Sequence, residues 1–335
     1  MSQGDARKRL HAAVVYQPMK TDVAALRAAV AEAEARAGWA PTQWYETDEH
    51  DAGVEAAKRA VSERAAVVLG SGGDGTIRAI AEGLARTGVP LALVPQGTGN
   101  LLARNLGVPL GDMDAVVEAA FFGRKRTLDL GRMTIVRPGA DGRPGDEEEH
   151  VFLVLAGMGL DARAIQATRS KLKKAVGWLA YVDAGVRTMM KESRLNIRYS
   201  VDGSPMRPLT VYTVMIGNCG QLPGGVLLIP DAKIDDGVLD VVALRPLGRF
   251  SWLRIWNKIG WENGVLRRTK VGRQIIDLVN DTRNVLYVRA KRYGVEVRKP
   301  EPIQLDGDDF GLAIAAHGVV DPGALVVQVL PGWDA

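Results

Sequence analysis

Cysteine, histidine and long apolar runs are scarce in this chain, and each scarcity excludes a class of protein. The single cysteine, Cys219, can form neither an internal disulfide nor a thiolate metal cluster. The four histidines are scattered without the spacing of metal ligands or of a proton relay: His11, His50, His150 and His317. No run of about 18 apolar residues occurs, so we expect no membrane-spanning helix.

Positive and negative charges nearly balance, so the formal net charge is only +4. Such a mild excess favours anionic partners but does not separate nucleotide, nucleic acid and membrane. The basic residues form no groove-reading motif, so we predict no nucleic-acid partner. The first 18 residues lack an apolar core followed by a cleavage site, and we therefore expect a cytoplasmic protein. A length of 335 residues with 47% hydrophobic content is typical of two globular domains.

The first half of the chain alternates short apolar runs with helical patterns. Strands are predicted at 11–18, 42–47, 65–70 and 91–95, and helices at 21–38, 51–63, 76–86 and shortly after residue 97. Strands and helices in this alternation form βαβ units, whose strands are parallel. We expect residues 1–130 to form a Rossmann-like α/β domain with helices on both faces of a parallel sheet.

The second half is mostly strands separated by turn residues. They are predicted at 132–138, 149–157, 194–203, 209–218, 238–246, 284–290, 294–300 and 324–331, with helical patterns at 170–192 and 249–266. This rhythm is typical of an antiparallel β-sandwich. We assign it to residues 131–335, with the last strand a candidate for return to the first domain.

A glycine-rich turn follows the third predicted strand, in "VVLGSGGDGTIRAIAEGLA" (67–85). Gly72, Gly73 and Gly75 surround Asp74 just before a helix. Bare glycine backbone lets N–H groups approach phosphate oxygens, and the helix dipole favours their charge. Asp74 suits a phosphate site if a divalent cation lies between them or if it contacts a hydroxyl. The alternative is a tight turn with an N-capping aspartate.

A second glycine turn, "VPQGTGNLLARNLGVP" (94–109), follows the next strand and leads into another helix. Thr98, Gly99 and Asn100 there offer a hydroxyl, bare backbone and an amide. In a parallel sheet, turns at the carboxyl ends of consecutive strands face one cleft. Together the two turns predict a nucleotide site.

These motifs resemble the catalytic domain of the diacylglycerol kinase family, which includes bacterial lipid kinases and sphingosine kinases. The resemblance rests on "GGDGT" (72–76), "PQGTGNLLARNLG" (95–107) and blocks at 156–165, 216–242 and 303–310, in the family's order and spacing. It implies a nucleotide-binding α/β domain joined to a β-sandwich, with ATP in the cleft between them. NAD kinase, an alternative, shares the "GGDGT" turn but not the other blocks.

The resemblance also implies ligands. ATP would be held by Thr47, Gly72, Gly73, Asp74, Gly75, Thr76, Ile77, Arg78, Thr98, Gly99 and Asn100. Mg²⁺ would be bound by Asp236 with the main-chain carbonyls of Lys233 and Val238. From the residues alone, "KIDDGVLD" around Asp236 indicates a simple β-turn, because Asp-Gly is a strong hairpin signal. Asp129, at a family position near the domain junction, is predicted to hold a turn.

Phosphoryl transfer needs a group that takes the proton of the attacking hydroxyl. The family carries Asp-Gly-Glu where this chain has Asp306, Gly307 and Asp308. Asp306 matches directly, whereas Asp308 replaces the glutamate that serves as proton acceptor in relatives and reaches about one methylene less far. Asp306 and Asp308 both remain candidates for the base. The chain departs from the family pattern at a second place, the first loop, which contains Lys20. The ammonium of Lys20 would lie either beside a phosphate or in solvent.

Two segments of the second half have the composition of membrane contacts. Residues 249–273 place Trp252 and Trp256 four apart among lysines and arginines, as in a helix resting on anionic lipid. Residues 169–191 have a basic start and an apolar middle. The alternatives are a helix packed on the sandwich for the first segment, and an acyl-chain pocket or a cover of the sheet for the second.

The sequence therefore predicts an ATP- and Mg²⁺-dependent lipid kinase that is cytoplasmic and peripherally attached to the membrane. It would transfer the γ-phosphate to a hydroxyl of diacylglycerol or a related lipid, with Asp74 organising nucleotide and metal. An NAD kinase-like enzyme and a non-catalytic nucleotide- and lipid-binding protein are the alternatives. The sequence leaves open which lipid is phosphorylated and whether the chain forms a homodimer.

Overall fold

The computed structural model describes residues 10–48, 51–140, 143–159, 194–221, 229, 232–245 and 285–333. The chain divides into two compact units. The first comprises Met1–Leu128 and Gly323–Ala335, and the second comprises Asp129–Pro322.

The first unit is an α/β domain, as predicted. Its elements are β1 (His11–Tyr16), α1 (Val23–Ala37), β2 (Ala40–Glu46), α2 (Val54–Ser62), β3 (Val67–Gly72), α3 (Asp74–Leu84), β4 (Leu91–Pro95), α4 (Leu101–Asn105) and α5 (Met113–Phe122). The sheet has the order β4-β3-β1-β2, and each neighbouring pair is parallel. β3 is buried along its whole length, which is why it reads as a continuous apolar and glycine run.

Helix starts in the first unit differ from the predictions in three places. α2 begins at Val54 rather than at residue 51. The N-cap of α1 is Asp22, whose carboxylate accepts from Ala25 N at 3.0 Å, rather than Thr21. Thr21 is instead buried, with its hydroxyl 3.0 Å from that of Ser71. The helix after the first glycine turn begins at Asp74, two residues before the predicted Thr76.

Helix α5 was not predicted. Half of its ten residues are buried, namely Val116, Val117, Ala119, Ala120 and Phe121. Apolar residues on more than one side of a helix weaken the 3.6-residue period by which helices are recognised in a sequence.

The second unit is an antiparallel β domain, as predicted. Its strands are β5 (Arg124–Pro138, which begins in the first unit), β6 (Pro144–Phe152), β7 (Leu155–Gly159), β8 (Leu195–Val201), β9 (Arg207–Val211), β10 (Thr213–Gly217), β11 (Leu239–Leu244), β12 (Val285–Ala290), β13 (Arg292–Leu305) and β14 (Asp308–Val329). The main path runs β12-β11-β10-β7-β13-β14. The last part of β14, from Gly323, belongs to the first unit and is parallel to β4.

Two predicted strands each prove to span two. The predicted strand 149–157 covers the end of β6 and the start of β7, and the predicted strand 209–218 covers β9 and β10. β9 pairs with β8, whereas β10 lies between β7 and β11, and the chain changes partner at Tyr212. The core of this unit contains Phe152, Leu239 and Leu305, all fully buried.

Among the residues that the structure describes, no helix is long and apolar enough to cross a membrane. The two predicted membrane-contact segments, 169–191 and 249–273, lie outside the described residues.

Candidate functional site

The loops of the first unit start at one edge of its sheet, where the parallel strands end. Main-chain hydrogen bonds between neighbouring strands continue for one residue beyond the strand ends. Thr47 N donates to Tyr16 O, Gln17 N to Ser71 O and Gln96 N to Gly72 O, each at 2.9 Å. Ligands of doubly wound sheets bind at this carboxyl edge. The edge therefore brings together Thr47 and both glycine turns.

Asp74 joins the two glycine turns through its carboxylate. Its Oδ2 accepts a 2.9 Å hydrogen bond from Asn100 N, and its Oδ1 accepts one from Leu101 N. These nitrogens belong to the N-terminus of α4, where N–H groups have no intrahelical acceptor. Asp74 thus caps the neighbouring helix rather than its own, an arrangement that the spacing of the motifs did not reveal.

Three glycines of the two turns, Gly72, Gly97 and Gly99, have no room for a side chain. A Cβ on Gly97 would lie 2.9 Å from Gly73 Cα, and a Cβ on Gly99 would lie 2.5 Å from Asp74 Oδ2. A Cβ on Gly72 would lie 2.6 Å from Thr76 Cβ, because the threonine side chain folds back over that glycine. A side chain at Gly97 or Gly99 would push the two turns apart, and one at Gly72 would displace Thr76 within the first turn.

Asn100 shapes the second turn with the amide that we expected to face a ligand. Its backbone is left-handed, with φ of +48°. Its Oδ1 accepts from Gly97 N at 2.9 Å and its Nδ2 donates to Gly97 O at 2.8 Å. Arg104 Nε also donates to Gly99 O at 2.7 Å. Thr98 is exposed between these fixed residues.

The first turn offers positive potential rather than a side-chain cap. Gly73 is the N-cap of α3 and has no side chain with which to accept the N–H groups of the first helical turn. The ammonium of Lys20 lies 3.1 Å from the position that a Cβ on Gly73 would occupy. A helix N-terminus beside an ammonium group favours a bound anion. Of the other predicted ligands here, Ile77 is buried in the core and Arg78 pairs with Glu82 at 3.6 Å.

Asp306, in the second unit, is buried and engaged by main-chain donors. Its backbone is left-handed, with φ of +49°. One carboxylate oxygen accepts from Leu153 N at 2.8 Å, and the other accepts from Val154 N at 2.8 Å and Leu155 N at 3.0 Å. A carboxylate held by three N–H groups joins the turn after β13 to the start of β7. This geometry suits a structural role.

Asp308 has a different environment, although it is only two residues away. It is the first residue of β14, pairs with Leu305 and is half-buried. Within the described part of the chain, no hydrogen bond or ion pair engages its carboxylate. Of the two candidate proton acceptors, Asp308 is therefore the one whose oxygens are available.

The predicted metal turn is held by Asp129, which confirms the structural role predicted for that residue. Asp129 Oδ2 accepts from Gly237 N at 2.7 Å, and Asp129 N donates to Ile234 O at 2.8 Å. The turn between them contains Asp236 and is flanked by Lys233 and Val238. The predicted ligands, one carboxylate and two main-chain carbonyls, are all oxygen donors, which is the ligand chemistry that Mg²⁺ prefers. In the described ranges, no cluster of three acidic, histidine or cysteine side chains offers a metal site.

Arg289 pairs with the carboxylate of Asp236. Its Nη2 pairs with Asp236 Oδ2, while Asp236 Oδ1 accepts from Val238 N at 3.3 Å. The arginine side chain is 47% exposed, so it can leave Asp236 for solvent. Arg289 was missed from the sequence, since it lies 53 residues from its partner on a separate strand.

The chain matches two family domains. Residues 11–133 match the diacylglycerol kinase catalytic domain, and residues 154–329 match the YegS C-terminal NAD kinase beta sandwich-like domain. A YegS-like probable lipid kinase from Pseudomonas aeruginosa is 30% identical over 272 residues, which cover 80% of this chain and 78% of the relative. A diacylglycerol kinase from Bacillus subtilis is 26% identical over 277 residues, which cover 80% and 81% of the two chains.

The fold has solved counterparts. A crystal structure from Bacillus anthracis, of a protein assigned as a diacylglycerol kinase, superimposes with a TM-score of 0.72 at 20% identity and covers 99% of both chains. The glycine turns and the segment around Asp306 lie within the two matched domains. The chain belongs to the diacylglycerol kinase family of lipid kinases.

Proposed function

We propose that this chain is an ATP- and Mg²⁺-dependent lipid kinase that transfers the γ-phosphate of ATP to a hydroxyl of diacylglycerol or a related lipid. The observation that carries the proposal is the pair of glycine turns that Asp74 joins at the carboxyl edge of the parallel sheet. The names of the relatives from Pseudomonas aeruginosa and Bacillus subtilis support the substrate class.

The first unit would bind the nucleotide. Main-chain N–H groups from Gly73 to Thr76 and the ammonium of Lys20 would contact phosphate oxygens. Thr47 and Thr98 would offer hydroxyls at the same edge. Asp74 and Asn100 would act mainly by holding the turns in register, because their polar atoms already bond to neighbouring backbone. Such pre-organised donors stabilise the charge of the transferred group.

The second unit would supply the proton acceptor. The lipid hydroxyl oxygen attacks the γ-phosphorus, the bond to the bridging oxygen breaks, and ADP leaves. Asp308 would take the hydroxyl proton, a contribution of typically about 10²- to 10⁴-fold in rate. Asp306 would hold the turn that carries Asp308.

Magnesium would be held by Asp236 and by the carbonyls of Lys233 and Val238. When bound, the ion would supply positive charge that offsets the negative charge of its oxygen ligands. The lipid would be met at a membrane surface, where the protein is peripherally attached from the cytoplasm. The tryptophans and basic residues of 249–273 support this attachment by composition.

One reaction tests the proposal. The protein is incubated with γ-labelled ATP, Mg²⁺, NAD and mixed micelles of total bacterial lipid plus diacylglycerol, and label is counted in the organic and aqueous phases. We expect label in the organic phase, and we expect Asp308→Asn to remove most of it. Arg198→Gln is the matched control, because Arg198 pairs with Glu296 on the exposed surface of the same unit.

Other outcomes identify the alternatives. Label in NADP would contradict the lipid kinase and favour an NAD kinase-like enzyme. Label in neither product would favour a non-catalytic protein that binds nucleotide and lipid.

A further inference from the structure

Strand β14 begins with Asp308 and contains a β-bulge two residues later. Asp309 of β14 pairs with Gln304 of β13, but the next paired residues are Leu312 and Pro302. Two residues of β14, Phe310 and Gly311, therefore oppose one residue of β13. Gly311 has φ of +75°, and its N–H donates to Asp309 Oδ1 at 2.9 Å. Bulges re-aim the side chains beside them and recur next to active sites.

Arg137, from the β5–β6 hairpin, donates hydrogen bonds to this bulge. Arg137 Nη1 donates to the main-chain oxygens of Phe310 and, at 3.2 Å, Leu312. Its Nη2 pairs with Glu148 Oε2 on the adjacent strand. The hydrogen bond from Arg137 lowers the pKa of the Glu148 carboxyl below its ordinary value, which keeps the pair ionised.

The hairpin makes a second contact with the bulge. The ring of His150 lies edge-on to that of Phe310, with centroids 4.8 Å apart. His150 Nε2 is also 3.4 Å from Glu148 Oε2. Glu148 thus connects the residue that binds the bulge carbonyls to the residue that packs on its aromatic ring. The proposed chemistry does not use this hairpin.

We propose that Arg137 is a positioning residue for Asp308, a role that rests on the proposed function. By binding the two carbonyls that flank Gly311, Arg137 sets the course of the β14 backbone next to Asp308. An aspartate is one methylene shorter than the glutamate of the family pattern, so its reach depends more strongly on where the backbone lies. A displacement of about 1 Å at a reacting group can cost about 10²-fold in rate.

The chemistry of the side chain explains why an arginine stands here. A planar guanidinium carries five donors in a fixed fork and can bind two carbonyls and a carboxylate at once. A lysine has a single point of charge and cannot reproduce this geometry. We therefore expect Arg137→Lys to recover only part of the activity that Arg137→Gln loses.

A double-mutant cycle tests the role. Transfer of label from γ-labelled ATP to diacylglycerol in mixed micelles is measured for wild type, Arg137→Gln, Asp308→Asn and the double variant. We expect Arg137→Gln to lower kcat about tenfold, with the KM for ATP unchanged. In the Asp308→Asn background the same change should cost less than about twofold, because Arg137 acts through Asp308. Arg198→Gln should leave both backgrounds unchanged.

Each remaining outcome contradicts the role in a recognisable way. Equal losses in both backgrounds, or no loss in wild type, would overturn positioning by Arg137 while leaving the lipid kinase intact. A wild type that transfers no phosphate to lipid would overturn the proposed function and this role with it. If Arg137→Gln does not fold, Glu148→Gln, which removes the anchor of the guanidinium, replaces it in the same cycle with a smaller effect of the same sign.

Discussion

Asp306 Oδ1 accepts a 2.8 Å hydrogen bond from the main-chain nitrogen of Val154, and the carboxylate takes two further N–H groups from the same segment. In Asp306→Asn an amide nitrogen would face at least one of these donors. We expect the free energy of unfolding to fall by about 2–3 kcal/mol, the cost of a buried charged hydrogen bond. Urea denaturation measures it.

Asp308→Asn gives the matched comparison two residues away. It should leave the free energy of unfolding within about 0.5 kcal/mol of wild type, since the carboxylate is half-buried and makes no bond among the described residues. Its kcat should fall by about 10²- to 10⁴-fold. Equal stability losses in the two variants would contradict the division of roles between Asp306 and Asp308.

Asp74→Ala should damage both stability and nucleotide binding. It leaves Asn100 N and Leu101 N without their acceptor and separates the two turns. We therefore expect the free energy of unfolding to fall by about 2 kcal/mol. Isothermal titration should show weaker binding of ATP. Asp22→Ala is the control, because Asp22 caps α1 through Ala25 N. That variant should lose about 1 kcal/mol and bind ATP normally.

Lys20→Gln should weaken ATP binding without changing stability. The ammonium beside Gly73 is an exposed charge at a helix N-terminus, so its removal costs attraction to phosphate and little packing. We expect the Kd for ATP to rise about tenfold at low salt, with a smaller difference at high salt because of screening. Lys58→Gln serves as control, since Lys58 pairs with Glu55 on an exposed helix. Identical ATP affinities for wild type and Lys20→Gln would remove Lys20 from the site.

Arg289→Gln should strengthen Mg²⁺ binding. The substitution removes a positive charge that pairs with Asp236, and like charges compete for one carboxylate. We expect the Mg²⁺ concentration that gives half of the rise in Tm to fall about tenfold. Asp236→Asn should abolish the rise. A Tm that does not respond to Mg²⁺ in Arg289→Gln would count against a metal ion at this turn.

Tyr45 makes stability depend on pH in the alkaline range. Burial, followed by the hydrogen bond to Glu63, raises the pKa of Tyr45 from 10.0 to about 12. The folded state therefore holds the phenolic proton more tightly than the unfolded state, whose pKa is near 10. This contribution is complete below pH 10 and is lost as the pH rises from 10 through 12.

Tyr45→Phe isolates the effect. We expect the difference in unfolding free energy between wild type and Tyr45→Phe to shrink as the pH rises above 10. Urea titrations from pH 8 to 11 measure this difference. A difference that stays constant over this range would show that Tyr45 ionises alike in both states. Tyr293→Phe should be measured in parallel, because burial also raises the pKa of Tyr293.

The sequence by itself determined the two folds and the position of the glycine turns. Strands that are buried on both faces, such as Val67–Gly72, give continuous apolar runs, and turns need glycine where backbones meet. A local pattern also located the helix end at Gly38, whereas the resemblance to the family located the Asp-Gly-Asp segment. Patterns of this kind fail where the signal is weak, as in α5, or where a strand changes partner, as at Tyr212.

Only the tertiary structure decided which side chains hold the site and which are available to act in it. Asp74 reaches Asn100 across 26 residues, Asp306 reaches Val154 across 152, and Arg137 reaches Phe310 across 173. The spacing of residues along a chain carries no information about such pairs, because strand register and bulges bring them within hydrogen-bonding distance. The motif that offered two candidate aspartates therefore contains one whose carboxylate is buried and accepts three N–H groups, Asp306, and one that is half-buried, Asp308.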